Sequence, residues 1–224
     1  MDIKANLEAV KNSFINPDCQ LVSVSKTKPV ELLMEAYNAG VRDFGENKVQ
    51  EIQEKQPQMP SDVRWHMIGH LQRNKVKYIA EFVHLIHGVD SFRLLREIEK
   101  QGKKVNRKIP VLLQIHIAEE ESKFGFDREE LLEMLENDDF KRFQHVHILG
   151  LMGMATFTEN SDQVRKEFRS LKSLFDELKE KALPDFVEMQ ELSMGMSGDY
   201  QIAQEEGSTM VRIGSAIFGA RNTH

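Results

Sequence analysis

The chain has 224 residues, with 30 Lys and Arg against 36 Asp and Glu, a formal net charge of −6. At 40% hydrophobic and 29% charged residues, it carries enough apolar material for a packed core and too much for a disordered chain. The mild acidity argues against nucleic acid as the main partner, because a phosphate-binding face normally brings a basic excess.

The N-terminal residues Met1-Asp2-Ile3-Lys4 lead into a charged amphipathic segment, expected as an extra helix ahead of the first strand. It lacks the apolar stretch of a secretory signal. No apolar run approaches the roughly 20 residues of a membrane span. The single cysteine, Cys19, excludes an intrachain disulfide framework and a cysteine-rich zinc site. The expectation is a cytoplasmic protein with no membrane partner.

Eight short apolar runs follow in order: Leu21–Ser25, Val41–Phe44, Trp65–Ile68, Leu85–His87, Val111–Ile115, Ile148–Leu151, Glu191–Met194 and Met210–Ile213. Each is too short for a core helix and reads as a strand. Between them, Glu31–Asn38 follows Pro29, and Ser91–Gln101 opens on an Asp90-Ser91 cap signal. Asp127–Leu135 and Asp162–Lys181 carry apolar residues three and four apart, with the last expected as an outer helix with an ordinary exposed face. Such alternation implies parallel βαβ units. Eight units without a linker predict an α/β chain folded as one (β/α)8 TIM barrel spanning residues 1–224, since that fold needs about 200–250 residues. An open doubly wound sheet is disfavoured, because no G-x-G-x-x-G follows the first strand.

The first strand ends Ser25-Lys26-Thr27-Lys28-Pro29. If the extended conformation persists, Lys26 and Lys28 project to one side. Two facing ammonium groups lower each other's pKa and free an amine for attack on a carbonyl. On spacing alone, two solvated lysines are the commoner case. The seventh strand runs into Ser193-Met194-Gly195-Met196-Ser197-Gly198, and the eighth into Arg212-Ile213-Gly214-Ser215. Loops after strands 7 and 8 of a barrel often hold a phosphate through backbone N–H groups. Ser197 and Ser215 add hydroxyl donors. An amine and a phosphate cradle across one barrel mouth fit a ligand with an aldehyde and a phosphate, either pyridoxal 5′-phosphate or a phosphorylated sugar aldehyde.

Ser25–Pro29, Phe44-Gly45-Glu46-Asn47, Trp65–Lys75, Gly150-Leu151-Met152, Leu192–Ser197 and Val211–Gly219 occur in that order. Together they resemble the pyridoxal phosphate homeostasis protein family over essentially the whole chain. That resemblance implies a barrel like the N-terminal domain of alanine racemase, with pyridoxal 5′-phosphate held as a Schiff base on Lys26. It implies phosphate contacts at Ser197, Gly214 and Ser215, and Arg212 beside the pyridine nitrogen. It also implies that Asn47 lines the pocket, with Lys28 and Met194 among the cofactor-binding residues. It further implies a carrier or buffer that maintains vitamin B6 and amino-acid pools, with no catalytic residue and possible handover to cofactor-dependent apoenzymes.

The residues offer reasons for binding without turnover. The cofactor acts best as an electron sink when its pyridine nitrogen is protonated, and an arginine cannot accept that proton. Alanine racemase itself carries an arginine there, so Arg212 alone does not exclude catalysis. The chain ends at His224 directly after the eighth unit, so neither the β domain that supplies a racemase's second base nor its dimer contact is expected. A monomer is. A weak amino-acid racemase is the alternative, and a Schiff-base aldolase the third reading. His66, His70, His84, His87, His116, His145 and His147 include close pairs, but without an H-E-x-x-H signature no metal is assigned. Glu119-Glu120-Glu121 reads as a solvated loop, and Ser122-Lys123-Phe124-Gly125 as a part of the rim.

Overall fold

A computed structural model describes residues 1–119 and 124–220. Eight parallel strands close into a barrel in chain order: β1 (Gln20–Val24), β2 (Asp43–Glu46), β3 (Arg64–Met67), β4 (Leu85–Val89), β5 (Ile109–Gln114), β6 (Val146–Met152), β7 (Val187–Met196) and β8 (Met210–Ile213). Closure is made by β8 on β1, from Gln20 opposite Met210 to Ser23 opposite Ile213. Each of the eight apolar runs overlaps one of these strands. The second begins two residues later than expected, because the Val41 N–H bonds the Ala36 carbonyl at 3.0 Å and closes the preceding helix.

The helices are α1 (Ile3–Asn12), α2 (Val30–Asn38), α3 (Val49–Lys55), α4 (Phe92–Lys104), α5 (Arg128–Glu136), α6 (Ser161–Lys179), α7 (Tyr200–Glu205) and α8 (Ser215–Phe218). α1, α4, α5 and α6 start at a short polar side chain that satisfies a free first-turn N–H group, Asp2 doing so for Ala5 in α1. Ser91 accepts from Leu94, Asn160 from Gln163, and Asp127 forms a reciprocal capping box with Glu130. Pro29 sits at the cap of α2 rather than inside its first turn. The link from β3 to β4 holds a 3₁₀ turn, Arg73–Tyr78. The extra helix α1 precedes β1 and packs on α8, with the Asn6 amide donating to the Ile217 carbonyl at 2.9 Å.

Alternation along each strand divides the core. Outward residues such as Phe44, Trp65, Ile86, Leu113 and Ile213 pack under the helices in one large cluster. Inward residues Val22, Leu85, Leu112, Met152 and Met210 form a small separate cluster within the barrel. The rest of the lumen is polar. Asp43, His66, His87, Ser193 and Arg212 are all buried, on β2, β3, β4, β7 and β8. The outer face of α6 also differs from expectation, because Glu167 is buried. It accepts from the Thr156 N–H at 2.7 Å and hydroxyl at 2.6 Å, and from the Glu119 N–H at 3.2 Å. This carboxylate joins the loops after β5 and β6. Glu120, Glu121, Ser122 and Lys123 lie outside the described residues.

Candidate functional site at the barrel mouth

Strand register gathers the expected residues at the C-terminal ends of β7, β8, β1 and β2, which are neighbours in the closed sheet. Met196 pairs with Arg212, so Ser197 and the segment Gly214-Ser215 emerge side by side. Ser23 pairs with Ile213, and Val24 with Gly45, which sets Lys26 between Gly214 and Asn47. The ladder continues one residue past β1, with the Ser25 N–H on the Gly45 carbonyl at 3.0 Å. Lys26 therefore follows the inward alternation of Val22 and Val24 and is half-buried.

Lys28 does not join it there. The expectation that both lysines face one cavity required an extended chain, but Thr27 adopts φ 63°. A left-handed β-branched residue is rare and strained, and here it reverses the chain. The Lys28 N–H closes a turn on the Ser25 carbonyl, and its ammonium donates to the carbonyls of Gly219 and Ala220 at 3.2 and 3.0 Å. The strained turn is held from behind by a buried ion network that the sequence did not signal. The Thr27 N–H donates to Glu51 at 2.7 Å. Lys55 donates to Glu51 at 2.9 Å, to Glu46 at 2.7 Å and to the Ser25 carbonyl at 2.9 Å. Burial pushes the Glu46 carboxyl up to about 7, against the opposing pull of Lys55 and Ser25.

The β7–β8 loops form a narrow cradle. A Cβ on Gly214 would sit 3.0 Å from the Val24 carbonyl oxygen, so the backbone approaches β1 more closely than most side chains allow. The Gly214 N–H points at the Ser197 hydroxyl at 3.4 Å. In α8 the Ile217 and Phe218 N–H groups return to the Gly214 carbonyl, each at 2.9 Å, which leaves the Ser215 and Ala216 N–H groups without an acceptor inside the helix. Met194, expected among the cofactor-binding residues, is instead fully buried in the large cluster under the helices, because alternation along β7 turns it away from the lumen that Ser193 faces. On the other flank, a Cβ on Gly69 would meet the Asn47 backbone oxygen at 2.4 Å, which packs the loop after β3 tightly against Asn47. His70, for which the sequence offered no role, bonds Asp90 at 3.1 Å and lies against Phe124.

Arg212 is buried in the lumen. One terminal nitrogen donates to the carbonyl and hydroxyl of Ser193, and the other to the Gly153 carbonyl at 3.3 Å. A guanidinium has five N–H groups, so two are left for a further acceptor. Burial lowers its pKa to about 10, which still leaves it charged at neutral pH. Ser193 also meets His87 Nδ1 at 2.9 Å, His87 Nε2 meets His66 Nδ1 at 2.8 Å, and His66 Nε2 meets Asp43 at 2.9 Å. Asp43 is paired twice with Arg64, at 2.9 and 2.6 Å. Burial raises its carboxyl, but Arg64 and His66 outweigh that and hold it well below the usual range. Burial pushes His87 well down, and His84 to about 4.

Asp43, His66 and His84 bring three donor atoms within 4.8 Å of one another. Both Asp43 oxygens are already engaged by Arg64, so a cation there would have to displace that pair. The sequence reading missed this polar chain. Its signal was present: single polar residues stand at inward positions of apolar strands, as His66 does between Trp65 and Met67.

This closed barrel, with Lys26 just past its first strand, matches the family described as alanine racemase, N-terminal domain, over residues 1–222. Curated relatives narrow the assignment. A pyridoxal phosphate homeostasis protein of Aquifex aeolicus is 43% identical over 206 residues, covering 90% of this chain and 87% of that protein. A Homo sapiens protein of the same name is 40% identical over 214 residues, covering 91% and 77%. The chain belongs to the pyridoxal phosphate homeostasis protein family. Among solved structures, Synechococcus elongatus PipY superposes with TM-score 0.89 without PLP and 0.87 with PLP bound, each at 33% identity over 97% of this chain and all of PipY. Bartonella henselae alanine racemase, at 17% identity and TM-score 0.74 over 99% of this chain and 61% of that one, shares the fold.

Proposed function

We propose that this chain binds pyridoxal 5′-phosphate reversibly and acts as its carrier or buffer, maintaining vitamin B6 and amino-acid pools without turning over a substrate. The observation that carries the reading is the register that sets Lys26, Arg212 and the Ser197/Gly214/Ser215 cradle on adjacent strands. The residues fit the group. Lys26 would hold the aldehyde carbon as a Schiff base, and Ser197, Gly214 and Ser215 would take the phosphate through preformed donors. Asn47 would line the ring, and Arg212 would face the pyridine nitrogen. PipY, a third identical in sequence, has been solved with PLP bound, which supports the same ligand here. Lys28, tied to Gly219 and Ala220, would reach the ligand only by releasing those carbonyls.

Bound in an enzyme, the cofactor supplies an electron sink for carbanion chemistry. Here Arg212 can donate to the ring nitrogen but cannot take its proton, and its positive charge disfavours a protonated ring. This weakens the sink without by itself excluding catalysis, and the homeostasis names of the relatives add the support for carriage. The reading includes a monomeric barrel in the cytoplasm that hands cofactor to apoenzymes. A visible absorption spectrum with and without added pyridoxal 5′-phosphate tests it. A saturable new band that amino acids do not convert to product is expected. No band would overturn binding, and racemised product would favour the racemase reading.

A further inference from the structure

Five buried residues join the barrel floor to Arg212: Asp43, His66, His87, Ser193 and Arg212 itself. The links run from β2 through β3 and β4, then cross the lumen to β7 and β8. Both ends have fixed roles. Arginine only donates, and an ionised carboxylate only accepts. A neutral imidazole offers one donor and one acceptor. With both imidazoles neutral, only one assignment satisfies all four bonds. Arg212 donates to Ser193 Oγ, the Ser193 hydroxyl to His87 Nδ1, His87 Nε2–H to His66 Nδ1, and His66 Nε2–H to Asp43.

An extra proton on His66 would reverse the His66–His87 bond and turn His87 Nδ1–H toward Ser193. The serine hydroxyl would then lose its acceptor. In a buried site such an orphan is costly, so the chain holds one direction as a unit. A purely space-filling lumen would need none of this, since Val22, Leu85, Leu112, Met152 and Met210 fill the rest of it with hydrocarbon.

We propose that Asp43, His66, His87 and Ser193 are positioning residues that lock Arg212 as a donor at the cofactor's ring nitrogen. The proposal rests on the cofactor reading given above. Arg64 anchors the far end by holding Asp43, so the ring's electrostatic partner is set from the opposite end of the barrel.

The test compares His87→Leu with His87→Asn, whose side-chain oxygen can replace Nδ1 as the acceptor for Ser193. On cofactor-free protein, nitrogen-15 NMR should find both His66 and His87 as Nε2–H tautomers and the Arg212 guanidinium protons slow to exchange. His87→Leu should speed that exchange about tenfold, the scale of one lost buried hydrogen bond, and His87→Asn should restore it. With pyridoxal 5′-phosphate added, His87→Leu should shift the visible band and weaken binding about tenfold, and His87→Asn should bring both back. An Nδ1–H tautomer on either histidine would overturn the proposal. So would a His87→Leu protein that keeps the parent exchange rate and the parent band. If the parent binds no cofactor, the carrier reading fails, while the exchange measurement still decides whether the chain fixes Arg212.

Discussion

At the level of single residues, Lys26 and Lys28 show how one backbone angle separates two apparently equivalent amines. Sequence spacing pairs them, and the left-handed Thr27 divides them. Lys26→Ala should therefore abolish the cofactor's visible band. Borohydride reduction followed by peptide mapping should place the label on Lys26 in the parent protein. A full band in Lys26→Ala, with label on neither lysine, would remove the assignment. Glu46 carries a different prediction. Its pKa rises from 4.5 to about 7 on folding, so the folded chain keeps a proton that the unfolded chain has lost. Its contribution to stability should then fall as pH rises from about 4.5 to 7. His84, lowered to about 4 by burial, acts oppositely and loses stability as pH falls below 6.5. The difference between parent and Glu46→Gln thus isolates the glutamate. The parent's urea midpoint should drop relative to the variant's across that window, and parallel profiles would refute the assignment.

Elements differ in how plainly they are written in the chain. The strands were legible because a barrel strand packed on both faces reads as a short apolar run. The longer helices were legible from their caps and three-four spacing. Short helices such as α7 and α8, with six and four residues, are too brief to show a period and depend on tertiary packing. The polar lumen was also hidden, because residues from Asp43 to Arg212 meet only when five strands have been placed. At the β7–β8 cradle, the Ser197 hydroxyl lies between two loops and faces the Gly214 amide. Ser197→Ala should leave the barrel folded and weaken pyridoxal 5′-phosphate binding roughly 10- to 150-fold, since a hydrogen bond to a charged group contributes roughly 1.5–3 kcal/mol. Unchanged affinity in a direct titration would take Ser197 out of the cradle.

The whole molecule closes where its first and last strands meet, and the candidate site straddles that seam. Lys26 leaves β1, Gly214 and Ser215 leave β8, and the Lys28 ammonium ties β1's exit to the carbonyls that follow α8. A ligand joined to Lys26 and to the cradle would brace the seam from within. Binding to the folded state alone stabilises by about 2.7 kcal/mol at a hundredfold excess over Kd. For a chain of this size that amounts to a rise in Tm of about 5–10 °C. Pyridoxal, which lacks the phosphate, reaches Lys26 but not the cradle, so at the same concentration it should give a clearly smaller rise. Lys26→Ala with pyridoxal 5′-phosphate keeps the cradle and loses the covalent link, and should also fall short of the parent. Thermal scans of the four combinations of protein and ligand separate the two attachments. Equal shifts from pyridoxal and its phosphate in the parent protein would show that the β7–β8 loops hold no phosphate, and the seam would then be braced from β1 alone.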